Sequence, residues 1–224
     1  MLMRKPTPQR QEQDWFYFSA GLMHSLCSDY IAVRLLYTLA PLTTAMTILP
    51  KMLDVVEKAL KVHLAVQTQT PTALTDARSD YGHNIEKLRA ACAKFEPAFD
   101  HQGIQALTRD LNDKDGKLYQ YLRYGSQETT AGSETNLAVL LPVVDRIFSN
   151  SLLLLPDEYR RLLLFCSSLK SLVTRSSFDQ SRHPEQLIDV LARDNPYFRE
   201  FQVLFEQLDK EQEVLAAKIH PAET

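Results

Sequence analysis

Apolar residues recur at three- and four-residue steps along most of the chain, which is the spacing of one helix face. The first such stretch predicts a long helix from Asp14 to about Ala40, with Asp14 as its N-terminal cap. Its expected core-facing side chains are Trp15, Phe18, Leu22, Leu26, Tyr30, Val33 and Tyr37. Pro41 and Pro50 then bracket a short segment before the next helix.

A second helix is predicted from Pro50 to Gln67, with Pro50 at its first position, where a missing backbone N–H costs nothing. Its apolar face carries Leu53, Val56, Leu60 and Leu64, and its opposite face carries Asp54, Glu57, Lys58 and Lys61. Two acid-before-base pairs at i,i+4 spacing lie on that polar face. We expect it to be a solvated, charged helix surface.

A polar loop over 68–75 separates this helix from a third one, predicted from His83 to Phe95 with Asp80 as its cap. The expected core stripe is Ile85, Leu88, Cys92 and Phe95. At about 100° per residue, His83 in the first turn points away from that stripe. The positive end of the helix dipole would favour a neutral imidazole there, able to accept a proton.

The remaining pattern is also helical, so the sequence predicts an all-α protein. Helices are expected at about 104–124, 134–150, 157–175, 185–194 and 196–218, with a polar linker over 126–133. This divides the chain into a tail over 1–13, a helical domain over 14–125, the linker, and a C-terminal helical region over 134–224 that packs on the first domain. Two C-terminal stripes have 3-4-3 spacing: Leu162, Phe165, Leu169 and Leu172, and Phe198, Phe201, Phe205 and Leu208. We expect these two helices to pack as a pair within the chain, and the alternative is that they form a dimer interface.

Composition narrows the classes of function. The chain has 224 residues, 45% of them hydrophobic, and a formal net charge of −3, so a polyanion would have to bind at a local patch. Cys27, Cys92 and Cys166 are far apart within apolar helical patterns, which is typical of buried free thiols in a reducing compartment. The sequence contains no run of about 18 apolar residues and no secretory leader pattern, so we expect a soluble, cytoplasmic protein without membrane contact.

Several motifs of catalysis are missing from the sequence. It has no glycine-rich phosphate loop, no His-Glu-x-x-His and no Gly-x-Ser-x-Gly. The acidic run over 110–116 fails as a calcium loop because Leu111 and Leu122 occupy its two essential carboxylate positions. We therefore expect neither a cofactor nor a metal.

The segment Arg78-Ser79-Asp80-Tyr81-Gly82-His83 carries the strongest chemical signal. Arginine stabilises negative charge on phosphate, and histidine moves protons near neutral pH, so the two residues suit phosphodiester cleavage. The alternative is that Arg78 is an ordinary loop residue and His83 an ordinary histidine at a helix start.

This segment and its surroundings resemble the HEPN domain, a helical family that includes RNA-cleaving toxins. Family members follow a helix of alternating Glu-Lys and apolar residues with an Arg-x(4–6)-His motif. Here the matching pieces are Val56-Glu57-Lys58-Ala59-Leu60-Lys61, then Arg78 to His83, then Asn84-Ile85-Glu86-Lys87-Leu88. The segment 118–124 also looks like the tyrosine- and arginine-containing end of such domains. Ser79 departs from the Asn, Asp or His that usually follows the arginine, which bears on cleavage more than on the fold.

The resemblance implies a HEPN-like helical bundle with additional C-terminal helices. It also implies a metal-independent endoribonuclease of a toxin or phage-defence system, with two motifs facing each other across a homodimer. His83 would then take the proton of a ribose 2′-hydroxyl and Arg78 would stabilise the phosphate charge in the transition state. Asp80 or Tyr81 would orient the imidazole, an assignment that comes from their position and not from the family.

Two other functions remain open on the sequence. The first is a non-catalytic HEPN-like module that dimerises and recruits a protein or nucleotide partner, with the C-terminal helices as the adaptor. The second is a helical scaffold without nucleic-acid chemistry, in which Arg78 and His83 lie on separate surfaces.

Overall fold

The computed structural model describes residues 8–39, 45–69, 81–111, 137–165 and 189–219, and all regular structure within these ranges is helical. The elements are α1 (Pro8–Leu39), α2 (Ala45–Thr68), α3 (Ile85–Cys92), a 3-10 turn (Pro97–Asp100), α4 (Gln102–Leu111), α5 (Leu137–Leu153), α6 (Asp157–Phe165) and α7 (Phe198–Ile219). Residues 189–192 are helical as well. The all-α prediction is confirmed, while the predicted linker over 126–133 lies outside the described residues.

Helix α2 forms the centre of the fold. It packs against α1, α3 and α5. Its predicted apolar face is buried, and so are residues on its other sides: Val55, Ala59, Val62, His63, Ala65 and Val66. A helix with buried residues on nearly every side is surrounded by other parts of the protein.

Helix α1 begins earlier than predicted. It starts at Pro8, so Asp14 lies inside the helix and does not cap it. Proline suits a first helical position, and the following run of Gln, Arg and Glu consists of good helix formers. Leu26, Tyr30 and Val33 are buried as predicted, whereas Phe18 is 40% exposed and does not belong to the core.

Prolines lie inside two helices. Helix α2 starts at Ala45, so Pro50 is its sixth residue and not its first. Pro142 is likewise the sixth residue of α5. A proline at this position removes one backbone hydrogen bond near the start of a helix, where the packing of the remaining turns compensates.

Helix α3 is shorter than predicted. It ends at Cys92, and Phe95 is 48% exposed instead of completing the core stripe. Pro97 disfavours helical geometry at the preceding residue, and Glu96 is extended, with φ of −136° and ψ of 104°. The chain therefore leaves the helix before Phe95 can reach the core.

A buried arginine attaches the C-terminal segment to α1. Nη2 of Arg34 donates hydrogen bonds to the carbonyl oxygens of Leu191 at 3.2 Å and Arg193 at 2.8 Å. Nη1 of Arg34 lies 3.5 Å from Oδ2 of Asp145 on α5. The guanidinium thus satisfies carbonyl groups at a helix end, where the helix itself supplies no donors.

Tyr30 extends this buried cluster. Its hydroxyl donates to Oδ1 of Asp145 at 2.8 Å and accepts a hydrogen bond from Nδ2 of Asn195 at 2.7 Å. Its ring stacks on Phe148 with centroids 3.7 Å apart. The side chains of Arg34, Tyr30, Asp145 and Asn195 are therefore joined in one network, which positions α5 and the segment at 195 against α1.

Helix α7 packs on the bundle through three of the four residues of its predicted stripe, while the side chain of the fourth, Phe205, lies outside those that the structure describes. Phe198, Phe201 and Leu208 are buried, and Phe201 lies 5.6 Å from Phe148 of α5 between ring centroids. On the surface, Nη1 of Arg161 on α6 contacts both carboxylate oxygens of Glu211 on α7. None of the helices in the described ranges combines the length and apolar character needed to cross a membrane.

Candidate functional site

A tight turn over residues 81–84 presents His83. The backbone N–H of Asn84 donates to the carbonyl oxygen of Tyr81 at 2.7 Å, which closes the turn. Gly82 has a φ of 50°, in the left-handed region that glycine adopts without a Cβ penalty. The turn therefore depends on Gly82 to place His83 immediately before α3.

Asn84 is the cap of α3. Its side-chain Oδ1 accepts the backbone N–H of Lys87 at 2.9 Å, and its own backbone is extended. The prediction that Asp80 caps this helix is wrong, and His83 precedes the helix instead of lying in its first turn. Asparagine is among the best capping residues, and Ile85 and Leu88, which start the buried stripe, fix where the first turn begins.

The central contact of the site joins His83 to α2. Nδ1 of His83 lies 3.1 Å from each carboxylate oxygen of Glu57. The side chain of Glu57 is only 9% exposed, whereas that of His83 is 58% exposed. A buried carboxylate therefore holds one side of an imidazole whose ring extends into solvent. His83 lies outside the core as predicted, although it precedes α3 and its exposure does not come from a place in the first turn.

Glu57 is also bound by Lys61, one helical turn further along α2. Nζ of Lys61 donates to Oε1 of Glu57 at 2.5 Å. Burial acts to raise the pKa of Glu57, but the hydrogen bonds and charges of Lys61 and His83 outweigh it and lower the pKa below the ordinary value. Glu57 is thus an anion at neutral pH.

The contact defines the roles of the two ring nitrogens of His83. A carboxylate accepts hydrogen bonds, so Nδ1 carries the proton that is directed at Glu57. In a neutral imidazole, Nε2 is then the nitrogen with the lone pair. A histidine oriented by a carboxylate in this way can take a proton at Nε2, the arrangement used by many general bases.

The charges on the polar face of α2 point into the protein. Nζ of Lys58 donates to Ser25 and Asp29 of α1, and Nζ of Lys51 donates to Asp29 at 2.8 Å. This face of α2 therefore lies along its contact with α1 and the turn and is largely covered by them. The prediction of a solvated charged surface is wrong. The helical spacing placed these residues together correctly, but it carries no information on which helix covers them.

The four residues predicted for catalysis are described to different extents. Arg78 and Asp80 lie outside the described residues. Tyr81 is half-buried and packs against the core, and its carbonyl closes the turn before His83. Glu57 was not among the predicted site residues, although the Glu-Lys pattern of its helix was the signal by which it could have been found.

Metal ligation finds no support in the described ranges. No group of three histidine, cysteine, aspartate or glutamate side chains in this part of the chain is arranged to hold a metal ion. The buried His63 is a core residue: burial lowers its pKa to about 4, its Nδ1 lies 3.4 Å from the carbonyl oxygen of Ser151, and its ring packs on Phe99.

Comparisons of the chain with family models, with curated proteins and with solved structures gave no match.

Proposed function

We propose that this chain is a HEPN-like, RNA-directed protein in which His83 is the acid–base group of a metal-independent endoribonuclease. The contact between His83 and Glu57 is the observation that carries the proposal. It joins two segments that resemble the family pattern, the Glu-Lys helix and the His-Asn-Ile start of the next helix, which are 26 residues apart in sequence. If the Arg-x(4)-His spacing were accidental, nothing would require a buried carboxylate at hydrogen-bond distance from the histidine.

The chemistry follows from the orientation of the imidazole. Nε2 of His83 takes the proton of a ribose 2′-hydroxyl, and the oxygen attacks the adjacent phosphorus. A P–O2′ bond forms, the P–O5′ bond breaks, and the products are a 2′,3′-cyclic phosphate and a 5′-hydroxyl. Glu57 stabilises the imidazolium that forms, and the guanidinium of Arg78 is proposed to stabilise the phosphate charge.

The departing 5′-oxygen needs a proton. An imidazolium returns one readily, and a second copy of the motif across a homodimer would provide that acid. We therefore include the homodimer in the proposal. Its role is to supply a second His83 to the same phosphodiester.

A second candidate function is a binding module that recruits a protein partner. The charges in the described part of the site favour it, because Lys51 and Lys58 are paired with Asp29 and Lys61 is paired with Glu57. Such paired lysines give little net attraction for a nucleic-acid backbone. In this case the turn at His83 and the C-terminal helices would form the binding surface without cleavage.

A ribonuclease assay in EDTA tests the proposal. Wild-type protein, His83→Ala and Glu57→Gln are incubated with single-stranded RNA, and the product ends are analysed for 2′,3′-cyclic phosphate. We expect His83→Ala to lose cleavage by 10²-fold or more, on the order of a lost general base, and Glu57→Gln to lose less. His101→Ala is the matched control, since it removes another exposed histidine, which lies between the 3-10 turn and α4.

The outcomes separate the two candidates. Cleavage by wild type and His101→Ala but not by His83→Ala supports the ribonuclease. Equal cleavage by all variants contradicts the assignment of His83. A folded protein that neither cleaves nor binds RNA, measured by fluorescence anisotropy with a labelled 20-nucleotide strand, favours the binding module.

A further inference from the structure

Lys61 lies one turn from Glu57 on α2, and the proposed function assigns it no role. Its Nζ is bound to Oε1 of Glu57, and its side chain is 15% exposed. Since the same carboxylate also contacts Nδ1 of His83 through both oxygens, one buried anion is shared between a permanent cation and a titratable base.

We propose that Lys61 is a positioning residue for His83 that acts through Glu57, fixing the carboxylate and partly cancelling its charge. This inference rests on the proposed role of His83 as the acid–base group. A bare buried carboxylate would hold a proton on the imidazole tightly, whereas a general base must also release it. With Lys61 in place, His83 faces a hydrogen-bond acceptor whose negative charge is already partly neutralised.

The geometry supports an indirect action. Lys61 and Glu57 are one turn apart on α2, so the helix holds the pair in register. Glu57 and Lys61 lie on the helix at the centre of the bundle and not on a loop, which limits how far the carboxylate can move. Lys61 thereby restricts Glu57 to the orientation in which both of its oxygens lie 3.1 Å from Nδ1.

The other charged groups around the site have partners of their own. These are Asp29 of α1, bound by Lys51 and Lys58, Asp54 of α2, 4.0 Å from Lys51, and Glu86 of α3, bound by Arg89 and Thr108. Tyr81 adds a phenol to the turn ahead of α3. Within the described ranges, Lys61 is therefore the lysine that is paired with Glu57.

Lys58 provides a matched control on the same helix. It is three residues before Lys61 and is also partly buried, but its Nζ binds Ser25 and Asp29 instead of Glu57. Removal of either charge from α2 changes the net charge of the protein equally. Only removal of Lys61 exposes His83 to the full charge of Glu57.

The test is a titration of His83 by NMR in protein labelled with ¹⁵N-histidine. The sequence has six histidines, and the spectrum of His83→Gln identifies the signal by its loss. In Lys61→Met the titration midpoint of His83 should move to higher pH by about half a unit to one unit, as expected for an opposite charge near a largely exposed group. Lys61→Arg, which keeps the charge, and Lys58→Met should leave the midpoint within about 0.2 unit of wild type.

Glu57→Gln decides whether Lys61 acts through the carboxylate. In that background, Lys61→Met should have no upward effect, because the anion that it unmasks is missing. Equal shifts in Lys61→Met and Lys58→Met, or an undiminished shift in the Glu57→Gln background, would overturn the inference. If circular dichroism shows that Lys61→Met does not fold, Lys61→Gln replaces it as the variant that removes the charge.

This readout is independent of RNA cleavage. If wild type cleaves no RNA, the proposed ribonuclease fails, while the NMR shifts still decide whether Lys61 controls His83. If wild type does cleave, Lys61→Met should move the acidic limb of the kcat/KM–pH profile, which reports the free enzyme, upward by the same amount as the NMR midpoint, and it should leave KM at the pH optimum within twofold.

Discussion

Arg34 of α1 and Asp145 of α5 form an ion pair that is almost completely excluded from solvent. Nη1 and Oδ2 are 3.5 Å apart, and the side chains are 2% and 0% exposed. Burial raises the pKa of Asp145 to about 6, while the charge of Arg34 and the hydrogen bond from Tyr30 act in the opposite direction. The pair joins α1 to α5 and, through the backbone contacts of Arg34, to the segment at 191–193.

Loss of one charge from this pair should be costly. We expect Asp145→Asn to lower the free energy of unfolding by about 3–5 kcal/mol, because the guanidinium of Arg34 is left buried without a counter-charge. The double variant Arg34→Met with Asp145→Leu should be closer to wild type. Urea denaturation at pH 7.5 measures both, and a loss below about 1 kcal/mol in Asp145→Asn would contradict the expectation.

His63 should make the protein sensitive to mild acid. Burial lowers the pKa of His63 from 6.5 to about 4, so the unfolded chain takes up a proton between these values and the folded chain does not. The stability that the folded protein has with a neutral His63 is complete above pH 6.5 and is lost as the pH falls toward 4. Between pH 7 and pH 5 the free energy of unfolding should fall by about 2 kcal/mol. His63→Met should lose about 2 kcal/mol less than wild type over this interval, as measured by urea midpoints. The same pH dependence in both proteins would contradict this assignment.

Gly82 and Gly21 should respond to alanine in opposite directions. Gly82→Ala places a Cβ at a φ of 50° and should lower stability by about 1 kcal/mol. Gly21 lies inside α1 with open space where a Cβ would be, so Gly21→Ala should raise stability by roughly 0.5–1 kcal/mol. Thermal melting of both variants measures this, and ¹⁵N spectra of Gly82→Ala should also show a change at His83. If Gly82→Ala stabilised the protein, the left-handed conformation of Gly82 in the turn would be contradicted.

Arg89 links α3 to the 3-10 turn. Its guanidinium binds Glu86 through Nε and Nη2, and Asp100 through Nη1 at 2.7 Å. Because Asp100 is 61% exposed, we expect Arg89→Met to lose only about 1–2 kcal/mol. Arg109→Met, which removes an exposed arginine bound to Gln105 on α4, is the control and should stay within about 0.5 kcal/mol of wild type.

The buried thiols should be unreactive in the folded protein. Cys27 and Cys92 are fully buried thiols, and burial raises the pKa of Cys92 far above the ordinary value for a thiol. Since the thiolate is the reactive form, iodoacetamide should modify Cys92 only after urea is added. Mass spectrometry of tryptic peptides measures the extent of iodoacetamide modification at each cysteine. Modification of Cys92 without urea, at the rate of an unfolded peptide, would contradict its burial.

The helical class and much of the core followed from the sequence. The spacing of Leu53, Val56, Leu60 and Leu64 predicted one buried face of α2, and Ile85 and Leu88 predicted that of α3. The burial of the Cys27 and Cys92 thiols was also predicted correctly from their apolar surroundings. These features depend on the spacing of apolar residues within one helix, which can be read directly from the sequence.

Helix ends were predicted less well, because they depend on competition between neighbouring signals. Asp14 and Asp80 are acceptable caps by residue type, but Pro8 and Asn84 define the observed starts of α1 and α3. Phe95 has the spacing of a core residue, yet Pro97 ends the helical path before it.

The amino-acid sequence by itself determined the helical fold class and most of the buried stripes, because both follow from spacing along one helix. The tertiary structure decided which residues meet across helices. It brought Glu57 to His83 and Arg34 to Asp145, pairs separated by 26 and 111 residues, and it turned the charged face of α2 inward. Periodicity specifies the direction of a side chain relative to its own helix, whereas the partner that it meets depends on how all the helices pack together.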